Sequence, residues 1–213
     1  DDEVLGCFAT AARLAREGVR VYTLILGEGK NSRYSESAYS AEEEIDILRE
    51  EMLEANRLIG VEELFTHDFP DNRFDSVDLL DIVKEIERVK NMVKPDTIFT
   101  HFEDDLNIDH RITYEAVLTA CRPMPGECVA EIYSFEVLSS TEWRYPNSFS
   151  PDIFFDVKDS IALKVEAMSK YRSELRDYPH PRSLEAIELS ARYWGMRVGL
   201  EYAEAFKCIR KIY

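Results

Sequence analysis

Two adjacent carboxylates, Asp1 and Asp2, stand at the start of a helical pattern, and about a hundred residues later His110 follows Asp109 just after a strand-like run. One carboxylate can hold a metal ion while its neighbour takes a proton from a metal-bound water, which is the smallest equipment for metal-assisted hydrolysis. Taken singly, each side chain has a plainer reading. An acidic pair at a helix start complements the helix dipole and supplies an N-cap. A lone histidine at a helix start is most often a surface or hydrogen-bonding residue. His67, beside Asp68, reads as loop surface, and His101 at the end of a strand either lines a site or is satisfied in the core. Chemistry therefore depends on elements that would bring these residues together.

Those elements alternate. Val4, Leu5, Phe8, Ala11, Ala12 and Ala15 make a helical stripe over residues 3–17 that stops at Gly18. Val19 to Leu26 is nearly continuous in apolar residues, as suits a parallel strand covered on both faces. After a polar loop from Gly27 to Tyr39, Ser40 and Glu43 form a capping box for a helix ending at Gly60. A short strand near Leu64-Phe65, a helix from about Ser76 to Val93, a strand at Thr97 to Thr100 and a helix from Ile108 to Cys121 continue the pattern. Further on, strands are expected at Glu131 to Val137 and Ile153 to Asp156, and helices near Ser160 to Leu175 and Ser183 to Tyr193. The tail from Tyr202 to Ile212 suits strand or helix.

Strands alternating with helices predict a Rossmann-like α/β sandwich of three layers around a mostly parallel central sheet. One domain over residues 1–213 is expected, with 1–125 as the doubly wound core and 126–213 as its cap. A helix ahead of the first strand is unusual for this architecture, so one further strand, roughly eight to ten residues, is expected upstream of Asp1. Ligands of open α/β sheets bind beyond the carboxyl ends of the strands. Asp1-Asp2, Asp71 to Arg73 and Asp104 to His110 all fall on such turns, with Asp109 near enough to orient a neighbouring group.

Composition narrows the partners. The net charge of -16 disfavours nucleic acid and acidic membrane surfaces, since no Lys/Arg cluster stands out. Glu42-Glu43-Glu44 and Glu50-Glu51 read as solvated helix faces. No run approaches twenty apolar residues, and no secretory leader is evident, so the expected location is cytoplasmic. Cys7, Cys121, Cys128 and Cys208 form no C-x-x-C pair and read as free thiols.

Asp1-Asp2-Glu3-Val4-Leu5-Gly6-Cys7 resembles the end of the H-P-D-D-E-x-x-G signature of the LmbE-like, or PIG-L, zinc-dependent N-deacetylases. The resemblance runs on through Leu48-Arg49-Glu50-Glu51, Leu58-Ile59-Gly60-Val61, Phe69-Pro70-Asp71-Asn72-Arg73 and Asp105 to Arg111. It resumes at Tyr178 to Ser183 and Tyr202 to Phe206. It implies an enzyme that removes the N-acetyl group of an amino sugar or its conjugate, with Zn2+ or another divalent metal. Asp1 would be the general base, Asp2 and His110 zinc ligands, and a further ligand histidine would stand two positions before Asp1. Two protein ligands alone would make a weak site, because catalytic zinc ordinarily takes three.

Some relatives carry a histidine where this chain has Asn107, which can donate a hydrogen bond but cannot shuttle a proton. The resemblance then leaves Asp1 to return the proton to the departing amine, with His180 as the other acid. Arg49, Asp71, Arg73, Asn107, His180 and Arg182 are the substrate-binding candidates, and Trp143 a rim aromatic suited to a sugar's C–H face. Phe8-Ala9 departs from the glycines frequent at that point of the family. A homo-oligomer is compatible with the reading. The alternative is a catalytically silent sugar-binding or assembly protein on the same fold. A nucleotide-binding α/β protein is disfavoured, as no G-x-G-x-x-G or P-loop opens a helix.

Overall fold

A computed structural model describes residues 1–27 and 41–213, apart from the side chains of residues 41, 42 and 44. The polar loop after Gly27 and the Ser40 cap lie outside the described residues. The helices are α1 (Asp2–Arg16), α2 (Ala41–Leu58), α3 (Leu79–Val93), α4 (Ile108–Ala120), α5 (Ile161–Met168) and α6 (Leu184–Val198). The strands are β1 (Tyr22–Gly27), β2 (Glu63–Phe69), β3 (Thr97–His101), β4 (Glu131–Phe135), β5 (Ile153–Asp156) and β6 (Ala203–Lys211). This is the expected mixed α/β fold with open, parallel-stranded sheets. β1 and β2 form one sheet, and β3, β4, β6 and β5 lie in that order in another.

The chain forms two compact units, Asp1–Asp71 with Phe154–Glu204, and Asn72–Ile153 with Ala205–Tyr213. In the first, α1 buries Val4, Leu5, Phe8 and Ala12 of the predicted stripe, together with Ala9, while Ala11 and Ala15 are half-buried. Asp2 and Glu3 in its first turn and Arg13 and Arg16 in its last complement the helix dipole. The two arginines also donate to the Asp156 and Asp159 carbonyls at 3.0 and 2.6 Å. β1 and β2 pair in parallel from Tyr22↔Glu63 to Ile25↔Thr66. Ala9, Val157, Ile161 and Ala191 form a buried cluster.

The helix expected over residues 160–175 ends at Met168. Beyond it the Ser169 hydroxyl bonds back to the Glu166 carbonyl at 2.6 Å, and the chain turns so that Tyr171 and Glu174 become buried. Conversely, α6 continues five residues past Tyr193, until Gly199 closes it at φ 77°. A side chain at Gly195 would meet the Leu200 carbonyl oxygen at 2.8 Å, so glycine there lets the chain double back.

In the second unit, β3 and β4 pair in parallel from Thr97↔Glu131 to His101↔Phe135, and β6 runs antiparallel to β4. The tail is therefore a strand. Phe206 packs edge-on against Phe99 with centroids 5.0 Å apart. The helix expected from Ser76 starts instead at Leu79: residues Phe74–Ser76 form a separate 3-10 turn, and Val77 is extended.

Candidate metal centre

Asp1 is the N-cap residue of α1 and Asp2 its first helical residue. Asp1 makes no capping bond with its side chain. Its carboxylate lies 3.5 Å from the guanidinium of Arg182, which also bonds Glu174 at 2.7 Å. Glu174 is buried. The backbone N–H of Arg182 donates to His180 Nδ1 at 3.1 Å, so His180 folds its own loop while half-buried.

Glu3 ties the same turn from the other side. It accepts the Tyr171 hydroxyl and, at 3.3 Å, the Asn56 amide, whose oxygen in turn accepts Thr23 Oγ1 at 2.8 Å. Burial, then the Glu3 and Asp2 carboxylates, push the Tyr171 phenol well above its ordinary pKa, so it stays a donor. Glu51 is not on a solvated face: it is buried and accepts the Arg172 N–H and Ser173 hydroxyl, both at 3.1 Å. Arg49 is exposed, with Asp46 at 3.8 Å. Asp71 is half-buried in the turn just beyond β2.

In the other unit, His110 lies in the first turn of α4 and His101 at the carboxyl end of β3. Their rings stack with centroids 4.2 Å apart at 25°. His110 Nδ1 stands 3.0 Å from Asp105, which fixes the ring and leaves the other nitrogen for a ligand. Asp105 is fully buried and accepts from the Ser140 and Thr141 hydroxyls and, at 2.8 Å, from the Asn107 N–H. Burial alone would raise its carboxyl pKa, but His110 and the two hydroxyls outweigh it and the net shift is downward.

Asn107 caps α4, its side-chain oxygen accepting the Asp109 N–H at 2.8 Å. Asp109 is buried and accepts the Phe74 N–H at 2.9 Å, so it holds the loop that carries Arg73. Arg73 itself is exposed, and its carbonyl accepts the Ser76 hydroxyl at 2.7 Å. Trp143 is 42% exposed on a segment anchored through Ser140 and Thr141.

His101 and His110 bring two imidazoles together in this unit, and α1 of the other unit carries Asp2 as its first helical residue. One carboxylate and two imidazoles are a donor set suited to zinc and neighbouring divalent ions. His101 is the residue that sequence reasoning left open between site and core. Its signal was its place at the carboxyl end of a parallel strand. Asp105 carried no such signal, because its role depends on Ser140 and Thr141.

The family described as PIG-L, GlcNAc-PI de-N-acetylase, matches residues 1–121, more than half of the 213 in the chain. YaiS of Escherichia coli K12, described as an uncharacterized deacetylase, is 28% identical over 179 residues, spanning 81% of this chain and 86% of that protein. Among solved structures, N,N'-diacetylchitobiose deacetylase from Pyrococcus horikoshii matches with a TM-score of 0.77 and 21% identity, covering 98% of this chain and 80% of that one. The 4-carboxy-2-hydroxymuconate hydratase GalB from Pseudomonas putida KT2440 also has TM-score 0.77, at 19% identity and 100% and 93% coverage. At these identities the structures bear on the fold alone. With the family matched over most of its length and the acidic helix start inside that match, the chain belongs to the PIG-L, or LmbE-like, deacetylase family.

Proposed function

We propose that this protein is a metal-dependent hydrolase that removes the N-acetyl group of an amino sugar or amino-sugar conjugate. The observation that carries the reading is the stacked pair His101 and His110, with His110 Nδ1 3.0 Å from Asp105; Asp2, which adjoins a second carboxylate, Asp1, is taken as the third ligand. Zn2+ fits these donors best, and when bound it would supply Lewis acidity toward the amide carbonyl and an acidified water.

The chain's own residues do the rest. Asp1 takes the proton of the attacking water as general base. Arg182 lies against Asp1 and is itself fixed by Glu174, which holds the Asp1 carboxylate in place. Asp105 sets the tautomer of His110. Asn107, engaged as a helix cap, moves no proton, so Asp1 returns its proton to the departing amine. Arg49, Asp71, Arg73 and His180 are proposed to meet the sugar and its substituents.

The occurrence of a hydratase on the same fold favours a second reading, addition of water to a carbon–carbon double bond, from the same metal-and-base equipment. Acetate release separates the two. Zinc-loaded protein incubated with N-acetylglucosamine, N,N'-diacetylchitobiose and N-acetylglucosamine conjugates should release acetate and free amine from at least one of them. Absence of both products across the panel, from protein shown to contain zinc, would refute the deacetylase reading.

A further inference from the structure

We infer that the buried ion pair of Lys164 and Glu204 is the positioning device for the amino-terminal turns of α1, and through them for Asp1 and Asp2. This rests on the roles proposed above for those two carboxylates.

In a regular α-helix the Ala9 N–H bonds the Leu5 carbonyl, four residues back. Here both ends of that rung meet outside side chains. Lys164 Nζ donates to the Leu5 carbonyl at 2.8 Å, while Glu204 accepts the Ala9 N–H at 3.1 Å and the Thr10 N–H at 2.6 Å. Lys164 and Glu204 join each other at 2.6 Å. Lys164 comes from α5 and Glu204 from the start of β6, roughly 155 to 200 residues along the chain from the backbone groups they bind. Together they grip the helix at its second turn.

Both groups are almost wholly buried, at 6% and 4% exposure. A buried pair is seldom more stabilising than apolar residues of the same size. Its distinctive property is directional: an ammonium on one carbonyl and a carboxylate on two N–H groups fix where the helix backbone sits along its axis and how it is rotated. The Leu5 N–H bonds the Asp1 carbonyl at 2.9 Å, so the gripped residue, Leu5, is one hydrogen bond from the candidate base and adjoins the turn that holds the candidate ligand. Inserting side chains into a helix ladder is also a recognised way to bend it. Neither residue is a catalytic residue. They act through α1.

Three variants of the full chain test the inference: Glu204→Gln, Lys164→Met, and the apolar pair Lys164→Met with Glu204→Leu, which removes both charges together and so preserves folding where a single change would not. Lys90→Met, which breaks the ion pair with Glu127 in the other unit, is the control. Amide hydrogen exchange, measured without metal, should be at least about tenfold faster at residues 5–10 in the three variants and unchanged there in the control. Co2+ should bind roughly tenfold to a hundredfold more weakly to the variants, with an altered visible absorption spectrum.

Folded variants whose exchange at residues 5–10 matches the parent would overturn the inference. A merely structural pair would lower thermal stability and leave the Co2+ spectrum unmoved, which would overturn it equally. If Asp2→Asn leaves Co2+ binding intact, the metal reading fails instead, and the exchange data still decide whether the pair positions α1.

Discussion

The first turn of α1 presents carboxylates at a helix start and the segment leading into α4 presents carboxylates with an imidazole, but they are held in different ways. Around His110 much of the network is short-range: Asp105 takes the Asn107 N–H, Asn107 takes the Asp109 N–H, and Arg111 reaches back to the Asp105 and Leu106 carbonyls at 2.6 and 2.8 Å, while Asp105 and Asp109 also bind Ser140, Thr141 and Phe74, 35 or 36 residues away. Around Asp1 and Asp2 it is almost entirely long-range, through Arg182, Tyr171, Asn56, Lys164 and Glu204. A short-range network can form with its loop. A long-range one exists only once the whole unit has closed, so α1 should be the more easily disturbed by distant substitutions.

The largest effect is expected at Asp105, the fully buried carboxylate beside His110. Asp105→Ala removes the partner of His110, two hydroxyls and an N–H at once, and should cost about 3–5 kcal/mol of stability. Zinc affinity of the folded fraction should fall roughly tenfold to a hundredfold. Denaturant unfolding with a parallel zinc titration checks both. Equal stability of variant and parent would show that the loop does not depend on this carboxylate.

On the long-range side, Arg182→Ala removes the guanidinium that both the buried Glu174 and Asp1 face. It should lower kcat far more than it changes KM, with a stability loss of about 1–3 kcal/mol. Arg182→Lys should recover only part of kcat, because one ammonium cannot reproduce the guanidinium's fork. A variant that raised KM alone would make Arg182 a substrate contact rather than a residue acting on Asp1.

Asn107→Ala should cost about 1 kcal/mol through the lost helix cap, measurable by thermal melting. If the same change abolished turnover while the protein stayed folded, Asn107 would belong to the chemistry as well.

The smallest effect concerns acid. Burial would raise the Glu127 carboxyl pKa, but Lys90, the Val129 N–H and the Cys128 thiol outweigh it and hold it at about 2. A depressed folded-state pKa contributes stability above the unfolded value near 4.5, and that contribution is lost as pH falls from there toward 2. Glu127→Gln should therefore narrow the stability difference between pH 6 and pH 3. An unchanged acid profile would count against it.

The same contrast explains what the sequence made legible. Capping residues, the stripe of α1 and the alternation of strands with helices are local signals, and they place Asp1, Asp2 and His110 on helix starts as expected. The tail was ambiguous because Ala203 to Lys211 becomes a strand only through pairing with β4. Glu51 looked solvated because its partners, Arg172 and Ser173, lie some 120 residues away. Likewise the chain leaves the helical pattern after Met168 so that Tyr171 can reach Glu3, a demand that no local window contains. His101 sat between two readings for lack of its neighbour, His110.

Zinc content of the purified, zinc-equilibrated protein tests the ligand set most directly. The parent and Asp1→Asn should each hold one equivalent, whereas Asp2→Asn, His101→Ala and His110→Ala should each lose most of it. Full zinc occupancy in the folded His101→Ala and His110→Ala variants would contradict the assignment.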